Sequence, residues 1–405
     1  MPNLAIEMGA RDQPLLAQTI GDNLRQTVAR VPNNDAIVAL HQDVRWSYQE
    51  FYDRVQRLAS GLLAAGLKPL DRLGLWSPNY AEWTMVQYAT AEIGVVLVNI
   101  NPAYRTHELA YALNQSGCRF LIAAPSYLTS NYQAMVASVQ DQTPVLEQTV
   151  FFWSPEWEAL IAGDAHHQAG VEKLRGQRNP DDPINIQYTS GTTGFPKGAT
   201  LTHHNILNNG YFTGMGCGYS EHDRVCIPVP LYHCFGMVMS NLACMTHGSA
   251  TVFPGEGFDA LATLEAVAAE RCTALHGVPT MFIAELDHPQ FRDFDLGSLR
   301  TGIMPGAPCP VEVMQKVLKQ MHMSEVLIAY GQTETSPVNH MTTIEDSIEK
   351  RVGTVGRPAP HCEIKIVDTA GEVVPVGEKG EICCRGYAVM QGYWDDPERT
   401  ADTID

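Results

Sequence analysis

The apolar positions of the chain predict alternating helices and strands before any chemistry is considered. Ser47-Tyr-Gln-Glu50 forms a capping box ahead of Phe51, Val55, Leu58, Ala59, Leu62 and Leu63, which recur at helical spacing, and Gly66 is placed to end that helix. The apolar run Arg72-Leu-Gly-Leu-Trp76 then reads as a buried strand. The same alternation continues with a helix near Ala81 to Ile93, the strand Val95 to Ile100, a helix near Thr106 to Gln115 and the strand Arg119 to Ala123. Such alternation predicts an α/β protein with mostly parallel sheets covered on both faces.

A second run begins with the strand Ile184 to Tyr188. It continues with a helix from Asn205 to Tyr211, strand Arg224 to Pro228, a helix near Met237 to Thr246, strand Ala250 to Phe253, a helix near Leu261 to Ala269 and strand Ala274 to His276. A helix around Thr280 to Leu286 and strand-like segments at Leu299 to Met304 and Val326 to Ala329 follow. From about Lys350 the texture changes to short β-like pieces divided by Gly and Pro: Glu363 to Val367, Glu372 to Val374 and Gly380 to Cys384. These shifts divide the chain into a first α/β unit with the N-terminal segment (1–180), a second α/β unit (181–349) and a small antiparallel β unit (350–405). Residues 125 to 182 show the weakest pattern.

The strand Ile184 to Tyr188 runs into Tyr188-Thr-Ser-Gly-Thr-Thr-Gly-Phe-Pro-Lys-Gly-Ala199. Its glycines permit close backbone approach, its hydroxyls stand beside exposed amides, and Lys197 supplies a point charge, a combination suited to nucleotide phosphates. It is not a Walker A loop, because Pro196 and Gly198 stand where that pattern needs glycine and a hydroxyl.

Composition narrows the rest. The 405-residue chain is 45% hydrophobic and 18% charged, which is neither disordered nor membrane-spanning in character, and its N-terminus shows no signal-peptide pattern. A formal net charge of −18 argues against a nucleic-acid partner, so an anionic nucleotide has to be held locally. The ten cysteines form no C-x-x-C pair and do not cluster with the 14 histidines, as reduced, packed thiols of a cytoplasmic protein would be expected to behave.

The order Thr-Ser-Gly-Thr-Thr-Gly-x-Pro-Lys-Gly resembles the signature loop of the adenylate-forming superfamily. Pro230-Leu-Tyr-His-Cys-Phe-Gly236, Tyr330-Gly-Gln-Thr-Glu334, and Gly380-Glu-Ile-Cys-Cys-Arg-Gly386 with Gly392-Tyr-Trp394 match that family in order. The resemblance implies the N-terminal large domain of such an enzyme: two packed, mostly parallel sheets in αβαβα layers, plus a small antiparallel β-barrel-like subdomain. It implies ATP, Mg²⁺ and CoA as cofactors and co-substrates. The ATP/AMP site would comprise Thr189, Ser190, Gly191, Thr192, Thr193, Gly194, Lys197, Gly306, Ala307, Pro308, Tyr330, Gly331, Gln332 and Thr333. Tyr330 would stack on adenine, Thr333 would contact the α-phosphate and Glu334 would hold the metal. His233, Thr333, Glu334 and Lys197 are the candidate catalytic residues.

The resemblance places His233 over the reacting carboxylate, where alignment matters more than proton removal because a carboxylate is already ionised at neutral pH. His233, Phe235, Gly236, Met237, Val278, Gly302 and Ile303 would form the acyl pocket. Leu231 to Met245 contains no Asp or Glu to meet an α-ammonium group and is rich in apolar side chains, so an uncharged acyl group is expected. The wording of Asn185 to Tyr188, Gly198 to His204 and His276 to Thr280 is most similar to the medium-chain fatty acyl-CoA synthetase branch. Aryl or short substituted acids are the alternative within the enzyme class, and a non-catalytic module binding a nucleotide or acyl adenylate is the alternative outside it. Family members continue past the position of Asp405 into a ribose-binding Thr-Gly-Asp segment and a lysine-bearing C-terminal domain. Residues 1–405, which include neither, are expected to be slow in the full ligation. Oligomeric state is left open.

Overall fold

A computed structural model describes residues 3–189 and 196–405. Two seven-stranded sheets dominate it. The first runs, edge to edge, through Gly392–Tyr393, Lys197–Thr202, Pro183–Thr189, Val96–Ile100, Arg72–Trp76, Phe120–Ala123 and Gln148–Phe151. The second runs through Glu325–Leu327, Thr301–Ile303, Ala274–His276, Arg224–Cys226, Ala250–Phe253, Asp35–Ala39 and Val44–Ser47. Pairing is parallel except at one end of each sheet, where Pro183–Thr189, Lys197–Thr202 and Gly392–Tyr393, and likewise Asp35–Ala39 and Val44–Ser47, pair antiparallel. Strands from both sides of residue 180 therefore meet in each sheet.

The layers follow from burial. Helix Ala81–Ile93 touches strands of both sheets, and every one of its residues is buried, which is why it shows no polar face. Helix Tyr48–Ala64 packs beside it, with Ser47 and Glu50 closing the expected capping box: the Ser47 amide donates to Glu50 Oε2 at 2.8 Å and the Glu50 amide to Ser47 Oγ at 3.2 Å. The half-exposed helices Thr106–Ser116 and Ala260–Glu270 cover the first and second sheets, completing an αβαβα arrangement. No described helix is long and apolar enough to cross a membrane.

Several local expectations are corrected. The signature loop joins two antiparallel strands, since Lys197–Thr202 folds back along Pro183–Thr189 before helix His203–Gly216 begins. The helix expected near Met237 to Thr246 is interrupted by a π-helical stretch, Met237–Leu242. The parallel strand Glu325–Leu327 ends early, and Ala329–Gly331 starts a separate antiparallel sheet with Val338–Met341. Glu372 to Val374 contributes only a bridge, Val373 to Val367. The remaining β unit is a three-stranded antiparallel sheet in which the N-terminal strand Ile6–Met8 pairs with Cys362–Val367, itself paired with Glu381–Gly386.

Candidate active site

Four neighbouring strands of the second sheet, Arg224–Cys226, Ala274–His276, Thr301–Ile303 and Glu325–Leu327, run parallel and end at one edge. The segments that follow them converge there, as expected for an open parallel sheet. Val229 to Phe235, Val278 to Met281, Pro305 to Cys309 and Ile328 to Glu334 supply much of the wall of a cavity of about 1020 Å³. Thr189 and Lys197 approach it from the antiparallel end of the first sheet.

On the polar side, Tyr330 is 42% exposed and stands edge-on to His340 with ring centroids 5.9 Å apart, leaving a face open to a planar ligand. Gly306 has φ +92°, the left-handed region that favours glycine, and Gly331 passes so close to Pro337 that a Cβ would lie 1.8 Å from its carbonyl oxygen. Thr333 and Glu334 sit on the tight turn Thr333–Thr335, held by Gln332. Tyr393 donates its hydroxyl to Glu334 Oε1 at 2.6 Å and accepts from Lys197 Nζ at 3.1 Å, with the ammonium 4.5 Å from the ring centroid. Burial, and then the bond to Glu334, push the phenol's pKa up, so it remains a donor at neutral pH.

His233 caps the short helical turn Cys234–Gly236. Its Nδ1 accepts from the Phe235 amide at 3.0 Å, and enclosure by the cavity walls lowers its pKa. The ring is therefore neutral at pH 7, with its proton on Nε2 and available as a donor.

Of the predicted residues, Thr189, Lys197, His233, Phe235, Val278, Gly306, Ala307, Pro308, Tyr330, Gly331, Gln332, Thr333 and Glu334 line this one cavity. Ser190, Gly191, Thr192, Thr193 and Gly194 lie outside the described residues. Gly236, Met237, Gly302 and Ile303 do not line the cavity. Gly236 is wedged against Pro230, where a Cβ would lie 2.3 Å from the carbonyl oxygen, and Met237 is fully buried with Sδ 3.2 Å from Asn99 Nδ2. Gly302 and Ile303 are buried within their strand, before the chain reaches the opening at Pro305.

Met239, Met281, Val229 and Pro230 form apolar wall in their place. Tyr393 and Arg351 also went unassigned in the sequence. Tyr393 stood in a motif but had no role, and Arg351 gave no signal. Arg351 lines the cavity with its guanidinium spent on the carbonyls of Asp346, Ser324, Val326 and Ile344.

The residues present fit a phosphate-bound cation rather than a protein-caged one. Among the described residues no group of three His, Cys, Asp or Glu side chains could hold a metal, while Glu334 alone brings a carboxylate to the cavity. Magnesium suits such a site, because it takes one or two carboxylates and fills its remaining positions with phosphate oxygens and water. Thr189 Oγ1, buried at the cavity without a partner among the described residues, is a further free hydroxyl for an anionic ligand.

Comparison with known proteins agrees with this geometry. Residues 24–394 match the AMP-binding enzyme family. The zebrafish (Danio rerio) mitochondrial medium-chain acyl-CoA ligase ACSF2 is 42% identical, over 98% of this chain and 69% of its own length. The putative acyl-CoA synthetase YngI of Bacillus subtilis is also 42% identical, over 96% of this chain and 75% of its own. The crystallised N-terminal domain of FACL13 from Mycobacterium tuberculosis superposes with a TM-score of 0.85 at 25% identity, covering 96% of this chain and 94% of that one. The chain belongs to the AMP-binding enzyme family, as an AMP-forming acyl-CoA synthetase.

Proposed function

We propose that the acid activated is an aliphatic acid of medium length whose acyl chain carries no charge. The observation that carries this reading is the cavity's lining: Lys197, Thr333 and Glu334 bring polar groups to it, Phe235, Met239, Val278 and Met281 bring apolar ones, and Glu334 is the sole carboxylate among its described lining residues. The 42% identity to a relative named as a medium-chain acyl-CoA ligase supports the same substrate class.

In this reading adenine stacks on Tyr330 against the backbone of Gly306 to Pro308 and Gly331 to Gln332. Thr333 meets the α-phosphate, Lys197 meets the departing phosphates, and Glu334 would hold Mg²⁺. His233 donates Nε2–H to one carboxylate oxygen while the other attacks the α-phosphorus. The bond to pyrophosphate breaks, pyrophosphate leaves, and the CoA thiolate then attacks the acyl carbon and releases AMP. No general base is required in the first step, since the acid arrives ionised. A bound magnesium ion would neutralise charge building on the phosphate oxygens. We also propose the segments 1–180, 181–349 and 350–405 as the units of the chain, with the two large sheets exchanging strands across the first boundary.

The test is acyl-CoA formation by the intact enzyme with straight-chain acids from butanoate to palmitate, alongside benzoate and cinnamate. Each buried methylene is worth about 0.8 kcal/mol, close to a fourfold gain, so kcat/KM climbs with length and drops once further carbons clash. A flat profile, or a preference for the aryl acids, overturns the reading in favour of the aryl alternative.

A further inference from the structure

Behind the apolar wall lies a buried polar chain that the proposed chemistry does not use. Tyr219 Oη lies 2.6 Å from His276 Nε2, His276 Nδ1 lies 2.7 Å from Ser240 Oγ, and Ser240 Oγ lies 2.9 Å from the carbonyl oxygen of Phe235. His276 and Ser240 are fully buried and Tyr219 nearly so.

The direction of every proton in this chain is set by its last member. A carbonyl oxygen only accepts, so Ser240 donates to Phe235 and has to accept from Nδ1–H of His276. Complete burial keeps that ring neutral, so Nε2 is an acceptor and Tyr219 donates to it. All three side chains are thereby satisfied without water.

The chain ends on the wall of the cavity. Ser240 lies in the π-helical stretch Met237–Leu242 and reaches back five residues to the Phe235 carbonyl. The His276 ring stacks on the Phe235 ring, with centroids 5.7 Å apart and planes 27° from parallel. Phe235 and Met239 face the cavity on the other side, and the Phe235 amide donates to His233 Nδ1. A π turn is a local departure from helical bonding and is frequent at functional sites.

We propose that Tyr219, His276 and Ser240 are positioning residues that lock the π turn and the Phe235 ring, and thereby set how far an acyl chain can extend past His233. This role rests on the cavity taking an aliphatic acid. Loosening the chain lets Phe235 and Met239 retreat, which enlarges the end of the acyl site without touching the nucleotide side.

The test uses the intact enzyme and the straight-chain acid series, comparing wild type with Tyr219→Phe, Ser240→Ala and Ser240→Thr. For Tyr219→Phe and Ser240→Ala, KM for the wild type's preferred acid rises about fivefold, the worth of one buried hydrogen bond, while KM for ATP stays within about twofold. The optimum moves to longer acids, and Ser240→Thr, which restores the hydroxyl, moves it back toward wild type. Failure of the wild type itself to activate aliphatic acids would count against the proposed function. An aliphatic wild-type profile that the folded variants reproduce unchanged, or lower uniformly at every length, overturns the positioning role. Should the variants not fold, nitrogen-15 NMR of wild-type histidines decides: a neutral ring protonated on Nδ1 at His276 supports the chain, and an Nε2–H tautomer or a charged ring at neutral pH overturns it.

Discussion

Tyr393 donates to Glu334 across 2.6 Å and joins two motifs 59 residues apart in sequence. The contact forms because Gly392–Tyr393 pairs antiparallel with Ala199 and Thr200 at the edge of the first sheet, while the Met390 amide donates to the Glu334 carbonyl at 2.9 Å. One phenol hydroxyl thus orients both the carboxylate and, by accepting from Lys197, the ammonium of the signature loop.

Replacing Tyr393 by Phe keeps the ring beneath Lys197 and removes only this hydroxyl. A hydrogen bond to a charged group is worth about 1.5–3 kcal/mol, so ATP–pyrophosphate exchange is expected to fall roughly ten- to a hundredfold. An exchange rate equal to wild type would mean that Glu334 and Lys197 need no such bridge.

Lys197→Ala and Glu334→Ala remove the charges themselves. Each is expected to lower exchange by at least as much as Tyr393→Phe. Because all three side chains form one bonded group, the double variant Lys197→Ala/Tyr393→Phe should lose less than the product of the single losses. Strictly multiplicative effects would show that the three act separately.

Gly236→Ala tests the turn that carries His233. The new Cβ would lie 2.3 Å from the Pro230 carbonyl oxygen and 2.6 Å from Leu231 Cα, both backbone atoms that cannot swing aside. Overpacking of this kind costs about 1–3 kcal/mol, so the melting temperature and acyl-CoA formation should both drop. Gly176→Ala, on a surface helix end where the nearest atom is 3.9 Å away, is the control and should stay within about 0.5 kcal/mol of wild type.

Stability should decline as acid is added below pH 6.5. Burial lowers the pKa of His276 to about 3 and that of His203 to about 4, whereas both take up a proton near 6.5 when unfolded. Between those values the unfolded chain binds more protons than the native one, so stability is retained above pH 6.5 and lost as pH falls toward 3. Each such histidine adds a slope of about 1.4 kcal/mol per pH unit. In urea unfolding between about pH 6 and 4, His276→Gln should reduce proton uptake by about one. An unchanged slope would show that His276 is not buried neutral.

Much of this was readable from local pattern. The Ser47–Glu50 capping box, strand Arg72–Trp76 and helix Ala81–Ile93 appear where apolar spacing put them, because each is specified by residues within a few positions of itself. The motif residues after the parallel strands also reach one cavity, since strand ends dictate where the following loops go. The failures are contacts between distant segments. Gly236 shares a motif with Phe235 and Met237 follows it directly, yet neither lines the cavity, and the pairing of Ile6–Met8 with Cys362–Val367 leaves no local trace. The same holds for Tyr393 against Glu334 and for Tyr219, His276 and Ser240, which come from three separate elements.

The central claim is that one cavity brings the acid to the α-phosphate between His233 and Thr333. A crystal structure with a non-hydrolysable acyl-adenylate analogue bearing a medium-length aliphatic chain tests it most directly. Adenine should lie on Tyr330 beside Gly306 to Pro308, the phosphate mimic should lie within hydrogen-bonding reach of Thr333, with His233 Nε2 on the acyl oxygen, and the chain should run along Phe235, Met239 and Met281. A chain lying elsewhere, or adenine away from Tyr330, would contradict the account.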